Sequence, residues 1–243
     1  MLKGIFFDLY DTLVVTREKT ASTWLISFYS CLKEIGLTQS LEDFMPCCQG
    51  FFSWQEPPPL NDGLTVYERR IQAFCENIKL DIDDKKLRKI ATSTVLAANA
   101  KCDIDPDCRQ VLETLRKKFK IALISNYDHP PYITKLLREL DIAKYFSAVV
   151  ISGDVGVKKP DPAIFHIGLQ QIGLKPDEVV HVGDSLDDVL GAASAGVTPV
   201  LIQRCPVLKD KFIWDKANHT SPLPPQTKII RQLPDLLPLV IPA

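Results

Sequence analysis

Phe6-Phe7-Asp8-Leu9-Tyr10-Asp11-Thr12-Leu13 is the stretch from which the fold of this 243-residue chain is read. Gly4-Ile5-Phe6-Phe7 is apolar without alternation, the pattern of a strand buried on both faces. An acid ends the run abruptly, and a second acid and a hydroxyl follow within one tight turn. A buried parallel strand has no packing use for a carboxylate at its carboxyl end unless that carboxylate meets a ligand. Acids at strand ends also form turns and cap helices, so the later strand ends must decide.

From Asp105 onward helix and strand patterns alternate. Pro106 to Lys118 carries Val111, Leu112 and Leu115 at helical spacing, and Ile121 to Ile124 reads as a strand stopping at Ser125-Asn126. A helix from Pro131 to Leu140 and a strand from Ala148 to Ile151 follow. Asp161-Pro162 opens the next helix with an N-cap acid and a first-turn proline. Val179 to Val182 is a strand ending at Gly183-Asp184; a helix to Ala195 then leads into the strand Pro199 to Ile202. Such repetition, with strands apolar throughout, predicts an α/β fold with a doubly wound, Rossmann-like parallel sheet covered by helices on both faces.

The first strand breaks this rhythm. A βαβ crossover takes about 30 residues, and far more separate Asp8 from Ile121. The intervening chain is helical in pattern over Thr20–Ile35, Leu41–Phe52, Val66–Ile78 and Asp84–Ala98. The reading is a catalytic core of residues 1–14 and 104–243, with residues 15–103 inserted as an α-helical cap domain over the carboxyl edge of the sheet. Gln55 to Gly63, with three consecutive prolines, is a stiff loop that either positions something or, the preferred reading, merely connects two helices. The tail from His219 is proline-rich, and Leu233 to Val240 packs as a last helix or strand.

A formal net charge of −1 offers no electrostatic footprint for nucleic acid or an anionic membrane surface. No apolar run reaches the length of a membrane span, and acids at Asp8 and Asp11 interrupt the amino terminus before a signal peptide could form. Seven cysteines, an odd number without paired CxxC spacing, read as reduced thiols of a cytoplasmic protein. Pairing of Cys102 with Cys108 is left open. Nothing in the sequence speaks to oligomeric state.

Polar residues recur just past the strands: Asp8, then Ser125-Asn126, then Lys158-Lys159-Pro160, then Asp184. In a doubly wound sheet these carboxyl ends gather at one edge, where ligands bind. Asp8, Asp184 and Asp188 are hard oxygen ligands suited to Mg²⁺, while Lys159, Ser125 and backbone N–H groups suit a phosphate dianion. A carboxylate beside a metal and a phosphate points to phosphoryl transfer with that carboxylate as nucleophile. Of the lysine pair, Lys159 abuts Pro160 and is taken as the functional one. Asp187 is read as a first-turn helix acid. His129, His166, His181 and His219 lack ligand spacing and are assigned no chemistry. Phe51, Phe52 and Trp54 are read as core.

Asp8-Leu9-Tyr10-Asp11-Thr12, Ser125-Asn126, Lys159-Pro160-Asp161-Pro162 and Gly183-Asp184-Ser185-Leu186-Asp187-Asp188 resemble, in order and spacing, the four motifs of the haloacid dehalogenase-like hydrolase superfamily. The segments 155–165 and 180–196 are similar to members carrying a helical cap between the first two motifs. The resemblance implies Asp8 as a nucleophile forming an aspartyl intermediate, with Lys159 balancing charge. It implies Mg²⁺ held by Asp8, the backbone carbonyl of Tyr10 and Asp184, with Asp188 supporting that shell. Ser125 and Asn126 would bind the transferring group, and Asp11 and Thr12 would complete the phosphate-binding turn, which Thr12 shapes. The implied activity is that of a Mg²⁺-dependent phosphatase acting on a small phosphorylated metabolite.

One position departs from this pattern. Phosphatases of the superfamily carry a general acid–base aspartate two residues after the nucleophile, and here that residue is Tyr10. Tyrosine there resembles the 2-haloacid dehalogenases, which work without metal. Against them stands Asp184, where dehalogenases have a small residue and where a metal-free pocket would set like charges together. They also use an arginine early in the cap; residues 38–52 have no Arg or Lys, leaving Arg17, Arg69 and Arg70. Asp11, Tyr10 itself, or a leaving group that needs little protonation are the three open replacements for the missing acid. A catalytically weak member that binds a phosphorylated ligand is a third alternative.

Overall fold

The computed structural model describes residues 1–16, 21–55, 62–204 and 222–241. In chain order the elements are β1 (Gly4–Phe7), β2 (Val14–Thr16), α1 (Ala21–Glu34), α2 (Leu41–Cys47), α3 (Val66–Asn77), α4 (Asp84–Asn99), β3 (Cys102–Ile104), α5 (Cys108–Leu115), β4 (Lys120–Ser125), α6 (Pro130–Glu139), β5 (Ala148–Ile151), α7 (Ser152–Val155), α8 (Pro162–Ile172), β6 (Val179–Gly183), α9 (Leu186–Ser194), β7 (Thr198–Ile202), β8 (Lys228–Ile230) and α10 (Leu236–Val240).

Six strands form one sheet in the order β5-β4-β1-β6-β7-β8, and every pairing in it is parallel. The chain builds outward from β1 through β4 to β5, then returns to β1's other side and builds outward from β6. The order therefore reverses between β1 and β6, the position at whose carboxyl ends sheets of this kind bind ligands. Asp8 directly follows β1, and its N–H donates to the Val182 carbonyl at 2.8 Å, which locks the strand end in register with β6.

Apolar side chains on one sheet face meet α8 and α9. Phe6, Ile124 and Val150 pack there with Ile164, Phe165, Leu169 and Ala192 in one buried cluster. Ser185 and Asp188 form a capping box that starts α9, and the Asp161 side chain caps α8 by accepting from the Ala163 N–H at 2.8 Å.

Residues 1–15, 103–204 and 222–241 form one compact unit and Thr16–Cys102 a second. The second unit is helical and is built around aromatic rings. Trp24 contacts Phe28 and Phe51 at 5.2 Å between centroids, and Phe74 lies 5.1 Å from Phe28 and 5.6 Å from Phe44. The Trp24 indole donates to Tyr67 Oη at 2.7 Å, so its one polar atom is satisfied inside this core. Phe51 belongs to the core as the sequence indicates, but α2 is shorter than its pattern suggests. Pro46 lies within it, the helix ends one residue later, and turns with Gly50 at φ 75° return Phe51 to the aromatic cluster.

The segments β2, β3 and β8 are three residues each and too short to show a period in the sequence. The described cysteines form no disulfide, Cys102 and Cys108 included. Among the described residues no helix is long and apolar enough to cross a membrane. Arg17, residues 56–61 of the proline loop, Cys205 and His219 lie outside the described residues.

Candidate active site

The edge at β1 and β6 collects Asp8, Ser125, Asn126, Lys159, Asp184 and Asp188, residues far apart in the chain. Ser125 is buried at the end of β4. Lys159, itself 4 % exposed, donates from Nζ to Asp8 Oδ1 and to Asp188 Oδ1, both at 2.6 Å, and to the Ile124 carbonyl at 3.1 Å. One ammonium thus bridges two buried carboxylates. Asn126 does not aim its amide at open space: Nδ2 donates to the Lys159 carbonyl at 2.9 Å, and Oδ1 accepts from the Lys159 N–H at 2.8 Å. This reciprocal pair fixes the backbone from which Lys159 projects.

Asp188 is fully subscribed. Its Oδ1 accepts from Lys159 and His181 Nε2 (2.8 Å), and its Oδ2 accepts from the Ser185 N–H (3.1 Å) and Oγ (2.5 Å). Burial alone would raise its pKa, but Lys159 and His181 more than offset that and hold it well below the usual carboxylate range. Burial lowers the His181 pKa below its ordinary value against the opposing pull of Asp188, and its Nε2 faces that carboxylate at 2.8 Å. His181 Nδ1 is buried with no hydrogen-bond partner among the described residues.

The other two acids are under-compensated. Burial, then the charge of Asp188, pushes Asp8 up to about 6 against the pull of Lys159. Asp184 is raised well above its ordinary value by burial and by Asp8, Asp188 and Asp11, with Lys159 the opposing charge. Oxygen atoms of Asp8, Asp184 and Asp188 lie within 4.8 Å of one another. Three carboxylates against one lysine, with oxygen the sole donor type, fit a hard divalent cation.

In the turn after Asp8, Asp11 is exposed at φ 55°, and Thr12 is buried with its Oγ1 lacking a hydrogen-bond partner among the described residues. Tyr10 forms a bridge with Val14, and its ring stacks on Tyr127 at 5.6 Å and 21°. Arg69 is paired with Asp62 at 2.6 Å, and Arg70 donates to the Trp54 carbonyl at 2.7 Å. Both arginines are engaged inside the helical unit.

Two residues escaped the sequence reading. His181 stands on β6 with the same parity as Gly183, which should have marked it as facing the same side as the strand end. Arg204 follows β7, a strand end that carries none of the motifs found at the other strand ends. Gly183 has its own reason for being glycine: a Cβ there would lie 2.2 Å from Asp188 Cγ and 2.6 Å from Oδ1. Gly183→Ala must therefore displace Asp188 and, through it, Lys159. Turnover is expected to fall about 10²-fold, the cost of an ångström-scale misplacement; steady-state kinetics on protein with an unchanged circular-dichroism spectrum checks this.

A family model for haloacid dehalogenase-like hydrolases matches residues 2–196. The chain is 42% identical over 206 residues to a glyceraldehyde 3-phosphate phosphatase of Methanopyrus kandleri, covering 84% of this chain and 85% of that one. It is 36% identical over 220 residues to a phosphoglycolate phosphatase of Escherichia coli O157:H7, covering 82% and 80%. Its fold matches the crystal structure of a HAD phosphatase from Thermococcus onnurineus with TM-score 0.66 at 23% identity, over 99% and 98% of the chains. The chain belongs to the haloacid dehalogenase-like hydrolase family.

Proposed function

We propose that this hydrolase is a Mg²⁺-dependent phosphatase of small phosphorylated metabolites that works through an aspartyl-phosphate on Asp8. The observation that carries the reading is the acid cluster itself: Asp184 stands with Asp8 and Asp188, their oxygens within 4.8 Å of one another, with Lys159 as the opposing charge. The phosphatase names of relatives at 42% and 36% identity support the same reaction class.

Asp8 Oδ2 attacks phosphorus, and the bond from phosphorus to the ester oxygen breaks. The leaving oxygen takes its proton from solvent or from a side chain of the turn, Tyr10 or Asp11. Water then attacks the same phosphorus and gives up a proton to solvent or to the side chain that protonated the leaving group; the bond to Asp8 breaks, and phosphate leaves with the carboxylate restored. Lys159 holds Asp8 in position and offsets charge as the phosphoryl group arrives. Ser125, buried at the end of β4, would donate to a phosphoryl oxygen. A divalent cation held by Asp8, Asp184 and the Tyr10 carbonyl, with Asp188 behind, would neutralise the anion and orient it.

The test is phosphate release from p-nitrophenyl phosphate and acetyl phosphate, whose good leaving groups need little protonation. With EDTA in place of Mg²⁺, turnover is expected to fall on the order of 10²-fold, in line with loss of a major electrostatic contact. Metal-independent turnover would overturn the Mg²⁺ assignment. Tyr10 favours a second reading, 2-haloacid dehalogenation; chloride release from 2-chloropropionate without phosphate release would establish it. Mg²⁺-dependent ligand binding without turnover would mark a binding protein instead.

A further inference from the structure

Arg204 lies just beyond β7 and reaches back to the turn that carries the nucleophile. Its Nη2 donates to the Thr12 carbonyl at 2.7 Å and its Nε to the Asp11 carbonyl at 3.2 Å. The third arm, Nη1, meets Asp105 Oδ2 at 2.6 Å. Asp105 is 4 % exposed, accepts from the Asp107 N–H through Oδ1 (2.9 Å), and donates its own N–H to the Leu13 carbonyl (2.9 Å). One guanidinium therefore joins three segments: the turn after β1, the chain just past β3, and the end of β7.

The turn needs such a brace. Asp11 occupies the left-handed region at φ 55°, which a non-glycine residue adopts at a cost. Within the turn, Leu13 and Val14 both donate to the Leu9 carbonyl at 2.8 Å, and Asp11 donates to Val14 at 2.6 Å. The Asp11 and Thr12 carbonyls have no role in that pattern, and they are the two that Arg204 engages. A rigid planar fork suits two adjacent carbonyls and a carboxylate in a way a single ammonium does not.

We infer that Arg204 is a positioning residue: it fixes the conformation of residues 9–14 and through it the placement of Asp8 and of the Tyr10 carbonyl. Its side chain is committed to two backbone carbonyls and to Asp105, not to Asp8, so its removal should be felt in turnover and not in phosphate affinity. The kinetic side of this inference rests on the phosphatase reading above; the conformational side does not.

The experiment compares wild type, Arg204→Lys and Arg204→Ala. Lysine keeps a charge for Asp105 but loses the fork, so Arg204→Lys should hold its melting temperature. Its kcat on p-nitrophenyl phosphate should fall about 10- to 100-fold, as for ångström-scale misplacement, with the Kd for inorganic phosphate unchanged. Millimolar guanidinium should restore part of the kcat lost in Arg204→Ala. Hydrogen exchange at the Leu13 and Val14 amides should accelerate in Arg204→Lys while exchange in β4 stays as in wild type. Wild-type kcat and wild-type exchange in Arg204→Lys would overturn the inference, as would a kcat loss matched by weaker phosphate binding. A wild-type protein that releases no phosphate would sink the phosphatase reading, and the exchange arm would still decide the role of Arg204.

Discussion

Asp8→Asn is expected to lower phosphate release by about 10⁴-fold or more, the scale seen when a covalent nucleophile is removed. The amide matches the carboxylate in size and its oxygen still accepts from Lys159, so the geometry survives while the attacking atom is gone. The same substitution should not destabilise the protein. Asp8 has a folded-state pKa raised to about 6 from 3.8. The native state therefore binds its proton more tightly than the unfolded chain, and stability from this group falls as pH rises from about 4 to about 6. At neutral pH the ionised side chain is a net cost without a cation beside it, and Asn removes that cost. Metal-free Asp8→Asn should melt at or above the wild-type temperature at pH 7.5. Turnover within tenfold of wild type would remove Asp8 from the reaction.

Lys159→Met carries the second-largest effect, and here activity and stability fall together. The methionine leaves Asp8 and Asp188 buried without the ammonium that bridges them at 2.6 Å. Breaking a buried pair from one side costs about 3–5 kcal/mol, and kcat should drop about 10³-fold, the upper range for loss of one pre-organised electrostatic contact. Burial lowers the Lys159 pKa, but Asp188 and Asp8 outweigh it and raise the group above its ordinary 10.5. Its stabilisation is thus fully present at neutral pH and is lost only as pH rises through that elevated value. Asp188, held low, works in the opposite direction: its contribution is present above the unfolded carboxylate pKa and lost as pH falls through its folded one. Without Lys159 the Asp8 proton is harder to remove, so the acid limb of the pH–rate profile should move to higher pH. A profile that keeps its wild-type acid limb would show that Lys159 does not set the state of Asp8.

Much of this is legible in the sequence because parallel strands buried on both faces leave a plain mark there. β5 runs from Ala148 to Ile151 as its apolar run suggests, and Lys120–Ser125 and Val179–Gly183 each exceed theirs by one or two residues. The sheet's connectivity then brings Asp8, Ser125, Lys159 and Asp184 to one edge, which is why residues so distant could be grouped. What stayed hidden depends on side-chain direction. Asn126 looks like a ligand by position, yet both ends of its amide are spent on Lys159. His181 looks like a lone strand histidine, yet it faces Asp188 across the strand–helix junction. Arg204 shows no motif, because its partners are two carbonyls and an aspartate from unrelated segments. Tyr10 remains the one position where chemical type and neighbours pull apart: its ring is stacked on Tyr127, where the family's phosphatases keep an acid.

The placement of β1 has a consequence for how the protein is made. This strand is the centre of the sheet, yet both of its neighbours, β4 and β6, are synthesised more than a hundred residues later. At about 5–20 residues per second, the ribosome leaves Ile5, Phe6 and Phe7 without strand partners for several seconds or longer. Two open edges on so apolar a segment invite pairing with other nascent chains. The helical unit, closed by contacts among neighbours in the chain, can fold during that wait; the segment bearing the nucleophile cannot, and it is there that a chaperone would find its purchase.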